Sequence, residues 1–199
     1  MYPTERVYDA VVSRPLVVPD PPLSDGHVVL RGWEPRDVPA IVAMCRDPEV
    51  IRFTSVPVPY NADDARLWLE LHPGRMAAGD GAAFAIAEAG DDDRPLGSIG
   101  VRVLHELGTA EAGYHVSRGA RGRGLATGAL RLLSRWTFAE LDVARLQLTT
   151  HLDNPASQRV AEKAGFTREG VLRAWADQRG ERVDLVMWSL LPGDPLPPA

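Results

Sequence analysis

The feature that most restricts the fold of this chain is a strand, a loop and a helix that follow one another directly between residues 114 and 141. Tyr114–Val116 is typical of a strand end, and Leu125–Leu141 has the apolar period of an amphipathic helix. The loop between them is rich in glycine and arginine, although the chain has a net charge of −5. Glycine lets backbone N–H groups turn toward a ligand, and a helix start adds unpaired donors and positive potential. The segment therefore predicts an anion site at the start of the helix.

Strand and helix signals alternate through the rest of the chain. Asn61 is a typical helix cap, and Leu67, Leu71 and Met76 predict the apolar stripe of the helix that follows it. Strands that are interleaved with helices and are partly antiparallel predict a three-layer mixed α/β domain. The other predicted helices are 37–46 and Asn154–Ala164, and the predicted strands are Val28–Arg31, Ala82–Ala89, Pro95–Leu104, Ala110–Val116, 146–150, Phe166–Trp175 and Arg182–Leu191.

Length and proline placement set the expected domain limits. A chain of 199 residues is enough for one domain with tails. Of its 17 prolines, five lie before residue 23 and four after residue 191, and proline interrupts both helices and central strands. We therefore predict an N-terminal extension over 1–23, a single domain over 24–191 and a proline-rich tail over 192–199. Within the extension, Thr4–Val12 predicts one or two helical turns.

Composition excludes several classes of function. Cys45 is the only cysteine, so an intrachain disulfide and a cysteine-cluster metal site are both excluded. The negative net charge argues against general nucleic-acid binding, which depends on basic surface. No apolar run approaches the roughly 18 residues that span a bilayer, and no targeting segment is visible. We expect a cytoplasmic protein that uses no metal and binds neither membrane nor nucleic acid.

The loop matches neither of the common nucleotide patterns. Gly119 and Gly124 have the spacing of a P-loop, but Leu125 and Ala126 stand where that motif needs Lys and Ser or Thr. The dinucleotide pattern fails at Thr127, where glycine or alanine is required. The loop therefore does not favour an enzyme that binds ATP or a dinucleotide at this anion site.

A different pattern fits the same residues. Arg121–Ala126 reads R-x-x-G-x-A, and Asn154–Phe166 reads N-x-x-S followed by E-K-x-G-F. In this strand-loop-helix setting the sequence resembles the GNAT superfamily of N-acetyltransferases. The second motif, Leu30-Arg31 with Asp37, and Asp47–Val50 resemble its RimJ/RimL-like branch, which acetylates the N-terminal amines of ribosomal proteins. The resemblance covers about residues 27–191.

The resemblance implies a fold and a cosubstrate site. The implied fold is a mostly antiparallel sheet of about seven strands, splayed in the middle and flanked by helices. The implied cosubstrate is acetyl-CoA, with its pyrophosphate on backbone amides of the loop and its pantetheine arm between the splayed strands. The implied cosubstrate residues are Tyr114, His115, Val116, Arg121, Gly122, Arg123, Gly124, Leu125, Ala126, Thr127 and Asn154.

Two residues are the predicted catalytic groups. Glu111 is the predicted proton acceptor, because the family often places a glutamate there; it shares a strand face with His115, which is weaker as a candidate. Many relatives use a tyrosine as the acid, but the corresponding residue here is Ala161. Ser157 is the replacement that the branch suggests, since it lies on the helix face of Asn154 and Ala161.

The expected reaction is direct transfer of an acetyl group from acetyl-CoA to a primary amine in a ternary complex. The acceptor stays open between a protein N-terminus and a small-molecule amine. The missing tyrosine also leaves open a non-catalytic acyl-CoA sensor, and a longer acyl group such as succinyl is a further alternative. Homodimers are common in the family.

Overall fold

The centre of the protein is an eight-stranded sheet, which the computed structural model describes together with its helices over residues 14–197. The strands are β1 Leu23–Ser24, β2 Val28–Arg31, β3 Gly81–Glu88, β4 Gly97–Leu104, β5 Thr109–Val116, β6 Arg145–His151, β7 Thr167–Gln178 and β8 Glu181–Leu190. The α-helices are α1 Val38–Cys45, α2 Pro48–Phe53, α3 Ala62–Ala77, α4 Leu125–Glu140 and α5 Pro155–Lys163. The spatial strand order is β1-β2-β3-β4-β5-β6-β8-β7, and only β5 and β6 are parallel neighbours.

The predicted fold class is confirmed, with two additions. The eighth strand is β1, where Leu23 pairs with Leu30. The α2 helix was not predicted, because its six residues are too few to show a helical period. Thr4–Val12 lies outside the described residues, whereas Leu16 is buried in the main core.

The predicted apolar stripe of α3 is wrong at two of its three positions. Leu67 and Leu71 are 55% and 58% exposed, whereas Met76 is buried as predicted. The inner side of the helix carries Ala65 and Trp68 instead. Leu67 directly precedes Trp68, and Leu71 lies one turn after Leu67 on the same side. Since successive helix residues are rotated by about 100°, both leucines point away from the inner face.

The sheet opens between its two parallel strands. Within the described chain, the ladder that joins β5 to β6 contains only Thr109–Arg145, Ala110–Leu146 and Glu111–Gln147. Beyond this point β5 continues to Val116 beside β4, while β6 continues beside β8. The predicted splay is therefore present, and it leaves one backbone edge of β5 available to a ligand.

Two apolar clusters cover the sheet. The larger one lies under α4 and includes Phe84, whose ring meets that of Trp136 edge-on at 5.2 Å between centroids. The smaller one is built from α1, α3 and the segment before α3, and includes Ile41, Cys45 and Tyr60. This arrangement gives the three layers that the alternating pattern predicts.

A buried ion pair fixes β2 to the start of α1. Both terminal guanidinium nitrogens of Arg31 donate to the Asp37 carboxylate, at 2.8 and 3.0 Å, and the Glu34 backbone N–H donates to it at 2.9 Å. The two side chains are only 8% and 1% exposed. The hydrogen bonds to Asp37 raise the pKa of Arg31 above its ordinary value, although burial acts against them.

Candidate functional site

A cavity of about 560 Å³ occupies the open end of the splay, and we call it the larger cavity. Its walls come from the end of β5, the loop after it, the starts of α4 and α5, and α2. It gathers most of the residues that the sequence predicted, although these are separated by up to 43 positions along the chain. The predicted residues that line it are Tyr114, His115, Val116, Arg121, Gly122, Gly124, Leu125, Ala126, Thr127, Asn154 and Ser157.

The loop presents backbone donors to this cavity. Gly122 and Gly124 have φ values of 78° and 81°, a left-handed conformation that disfavours residues with a Cβ. Gly124 caps α4, so the N–H groups of Leu125, Ala126 and Thr127 begin the helix without acceptors in a preceding turn. These three residues line the cavity, where the positive end of the helix favours an anion.

Arg121 holds the loop in place with its side chain. Its guanidinium contacts the carboxylates of Asp47 at 2.9 Å and Glu49 at 2.6 Å, and its Nε donates to the Val116 carbonyl. Burial alone would raise the pKa of Asp47, but the Glu49 backbone N–H and Arg121 lower it below the usual value. Arg123 is also paired, with Glu88. The loop therefore offers its amides rather than these two side chains.

A hydroxyl pair lies at the inner end of the larger cavity. The Tyr114 hydroxyl is 2.9 Å from Ser157 Oγ and 3.1 Å from the Ser157 carbonyl oxygen. The Ser157 backbone N–H donates to Asn154 Oδ1 at 3.0 Å, which caps α5. Burial raises the pKa of Tyr114 to about 12, with the Ser157 contact acting in the other direction. The sequence predicted Ser157 but did not show that a tyrosine from another element stands beside it.

Glu111 is placed differently from the other predicted residues. Its carboxylate pairs with Arg102 on β4, and it lines neither this cavity nor the smaller one described below. It occupies the last paired position before β5 and β6 separate. The structure therefore does not bring Glu111 and Ser157 together in one cavity.

A second cavity of about 200 Å³, the smaller cavity, lies on the α1 and α3 side of the sheet. His115 lines both cavities and is the residue that connects them. Burial, with the nearby Arg121 charge, lowers the pKa of His115 to about 4, so its ring is neutral at pH 7. The sequence does not reveal this cavity, because its lining comes from segments spread over residues 33–115. The lining residues are Trp33, Ile41, Met44, Cys45, Val56, Pro57, Tyr60, Trp68, Ser98 and His115.

The β7–β8 hairpin fixes the segment that separates the two cavities. The Arg179 guanidinium donates to the carbonyls of Ile51, Thr54 and Val56 at 2.9, 3.4 and 3.1 Å. This segment supplies Phe53 to the larger cavity and Val56 to the smaller one. Its position is therefore set by the hairpin as well as by its own sequence.

Residues 14–197 contain neither a cluster of metal-ligating side chains nor a membrane-spanning helix. No group of three or more His, Cys, Asp or Glu side chains there is arranged to hold a metal ion. No helix in that range has the length and apolar character to cross a membrane.

Comparison with known proteins gives a consistent result. The acetyltransferase (GNAT) domain family matches residues 27–167. The uncharacterized N-acetyltransferase p20 of Bacillus licheniformis is 27% identical over 83% of this chain and 93% of its own length. The ribosomal-protein-serine acetyltransferase of Escherichia coli (strain K12) is 31% identical over 41% of this chain and 46% of its own length. The fold of RimL, a ribosomal L7/L12 alpha-N-protein acetyltransferase solved with coenzyme A, matches with a TM-score of 0.75 at 20% identity, covering 85% of this chain and 96% of that one. This chain therefore belongs to the GNAT acetyltransferase family, and it is similar in fold and in part of its sequence to proteins named as ribosomal-protein acetyltransferases.

Proposed function

We propose that this protein transfers the acetyl group of acetyl-CoA to a primary amine while both are bound. The observation that carries the proposal is the larger cavity, which joins a row of free helix-start amides to an unpaired edge of β5. An elongated ligand with an anionic end and an amide-containing arm fits both features. Acetyl-CoA has both, and it supplies an activated acetyl thioester.

The anionic end of the cosubstrate is assigned to the loop. The amides of Leu125, Ala126 and Thr127, with those of Gly122 and Gly124 in the loop, hold the pyrophosphate, because these residues line the cavity and the first helix amides have no intrahelical acceptor. Arg159 and Lys163 lie in the cavity wall and add positive charge for further phosphate. The pantetheine arm lies along β5 at Tyr114–Val116, where its amides can pair with the free strand edge.

Ser157 is assigned to the departing sulfur. Its hydroxyl faces the larger cavity and is in contact with the Tyr114 hydroxyl. Because the pKa of Tyr114 is about 12, this group keeps its proton at neutral pH, and turning that proton from the Ser157 carbonyl oxygen to Ser157 Oγ makes Tyr114 the donor of the pair. Ser157 is then free to donate to the sulfur as the carbon–sulfur bond breaks and the carbon–nitrogen bond forms. Ala161, at the usual tyrosine position, is fully buried and serves packing.

His115 is assigned to the amine side of the reaction. It lines both cavities and its ring is neutral above about pH 4, so it accepts a hydrogen bond from the attacking amine. The amine proton then passes to solvent, because a group with so low a pKa is a weak base. Glu111, predicted from the resemblance, is bound to Arg102 and stands outside both cavities, so we place it second to His115.

The test is calorimetric titration of the purified protein with acetyl-CoA, with ATP and NADH as competitors. We expect micromolar binding of acetyl-CoA that neither nucleotide competes away, and release of free thiol when an acceptor amine is added. Binding without thiol release from any amine would identify a sensor. A preference for succinyl-CoA in the same assay would show that the transferred group is succinyl instead of acetyl. No binding of either would show that the larger cavity is not an acyl-CoA site.

A further inference from the structure

The smaller cavity is distinct from the space assigned to the cosubstrate. It is reached on the other face of the sheet and shares only His115 with the larger cavity. An apolar cavity of roughly 150 Å³ accommodates benzene. The smaller cavity, with a volume of about 200 Å³, therefore has room for one phenyl ring or one branched aliphatic group, together with one or two linking methylenes.

The walls of the smaller cavity are apolar and already packed. The rings of Trp33 and Trp68 meet edge-on at 5.7 Å between centroids, and Trp68 stacks on His72 at 5.3 Å. Ile41 and Val56 complete the same side. An apolar group that enters exchanges water for these surfaces without requiring the aromatic wall to rearrange.

The polar end of the smaller cavity lies next to the proposed reaction centre. Ser98 and His115 are directly opposite each other on β4 and β5, so their side chains stand side by side on one face of the sheet. Both side chains line the smaller cavity, and His115 also lines the larger one. An amine attached to a group held in the smaller cavity therefore emerges beside the proposed site of the thioester.

No residue of the described lining carries a charge at neutral pH. It contains no carboxylate, lysine or arginine. Burial raises the pKa of both Cys45 and Tyr60, and burial lowers that of His115, so all three are neutral. A second ammonium group would be removed from water here without a partner, which is unfavourable.

We infer that the acceptor is a primary amine that carries one uncharged apolar group of about the size of a phenyl or isobutyl group, and that the smaller cavity holds this group. The inference rests on the proposed acetyl transfer and adds its acceptor class. Two sources share this chemistry, a free amino acid or amine and the N-terminal residue of a peptide. The same cavity disfavours diamines and polyamines.

The experiment measures acetylation with saturating acetyl-CoA for four amines: phenylalaninamide, leucinamide, alaninamide and 1,5-diaminopentane. Burial of the larger side chain predicts a kcat/KM at least about tenfold higher for the first two than for alaninamide, and the lowest value for the diamine. Pentapeptides that begin with the same three residues separate the sources: activity on the amides indicates a small molecule, and activity on peptides alone indicates a protein N-terminus. Preference for alaninamide or for the diamine would overturn the inference.

Two variants form a matched pair on one loop. Val56→Glu places a carboxylate at the smaller cavity, whereas Val58→Glu places it at a residue that is 59% exposed and outside the lining. We expect the first to lower kcat/KM for phenylalaninamide by at least about tenfold and the second to change it by less than about twofold. Equal effects of the two variants would contradict the site.

A second pair covers the case in which Val56→Glu fails to fold. Trp68→Ala enlarges the smaller cavity, and Leu67→Ala removes an exposed side chain from the same helix. We expect only Trp68→Ala to shift preference from phenylalaninamide toward the bulkier naphthylalaninamide, and no shift would count against the inference.

Calorimetry with acetyl-CoA accompanies every variant. If the unmodified protein does not bind acetyl-CoA, the proposed function is rejected. If it binds acetyl-CoA but acetylates no apolar amine, only the acceptor class is rejected.

Discussion

Replacement of Gly124 by tryptophan tests the loop at the start of α4. Gly124 has a φ of 81°, caps the helix and lines the larger cavity. Nothing lies within 4 Å of the position that a Cβ would occupy, so the new side chain enters the cavity instead of displacing the protein's own atoms. We expect Gly124→Trp to occupy the space that the pyrophosphate needs.

The magnitude follows from the hydrogen bonds at risk. If the indole displaces the pyrophosphate from two helix-start amides, at roughly 1.5–3 kcal/mol for each charge-assisted bond, the loss is about 3–6 kcal/mol. That corresponds to an increase in the Kd for acetyl-CoA of at least about 100-fold. The left-handed backbone adds a folding cost of about 1–2 kcal/mol, which lowers stability but not affinity in the folded protein.

Gly26→Trp is the matched control for this strain. Gly26 has a φ of 87° and is exposed, and it also has nothing within 4 Å of the position that a Cβ would take, but it lies outside both cavities. Calorimetry with acetyl-CoA should therefore show weakened binding only for Gly124→Trp, while thermal unfolding shows a similar loss of stability in both variants. An unchanged Kd in folded Gly124→Trp would refute the assignment of the loop.

Three further predictions concern the ion pair, the hydroxyl and the histidine. Asp37→Asn leaves the Arg31 charge buried without its partner, so the free energy of unfolding should fall by about 3–5 kcal/mol in urea titrations; Glu34→Gln, in an exposed pair, should have little effect, and equal losses would contradict the buried-pair argument. Ser157→Ala should lower kcat by about 100-fold with a nearly unchanged Kd for acetyl-CoA, and a wild-type kcat would remove Ser157 from the mechanism. The pKa of His115 is about 4 when folded and about 6.5 when unfolded, so the unfolded chain binds more protons between these values and stability should decline as pH falls from 6.5 to 4; His115→Gln should reduce that slope, and an identical slope would show that burial does not depress the pKa.

Much of the fold follows from local rules that can be applied to the sequence. The strand β2 and the start of α4 agree with the predicted positions because their apolar periods and flanking glycines act over a few residues. Prediction failed where local signals were weak. The α3 stripe was assigned to Leu67, Leu71 and Met76, but only Met76 is buried, because large apolar residues occur on more than one side of that helix and their spacing does not show which side packs inward.

For the candidate site, the sequence predicted several residues but not the contacts that their side chains make. Arg121 was predicted as part of the anion loop, but its side chain is held by Asp47 and Glu49, more than 70 positions away. Tyr114 was predicted as a strand residue beside the pantetheine arm, but the contact of its hydroxyl with Ser157, which lies on a helix 43 positions later, was not predicted. Such partners cannot be identified from spacing, because their approach depends on how β5, α2 and α5 pack.

The sequence by itself determined the conformation of the loop before α4, because a strand end, left-handed glycines and a helix start are adjacent in the chain and their backbone geometry is local. It also determined the GNAT family, whose motifs are contiguous. Only the tertiary structure decided that Glu111 pairs with Arg102 and that His115 connects two cavities. The smaller cavity exists only after α1, α3 and the sheet are packed together, because long-range packing sets the space between elements and no local pattern encodes it.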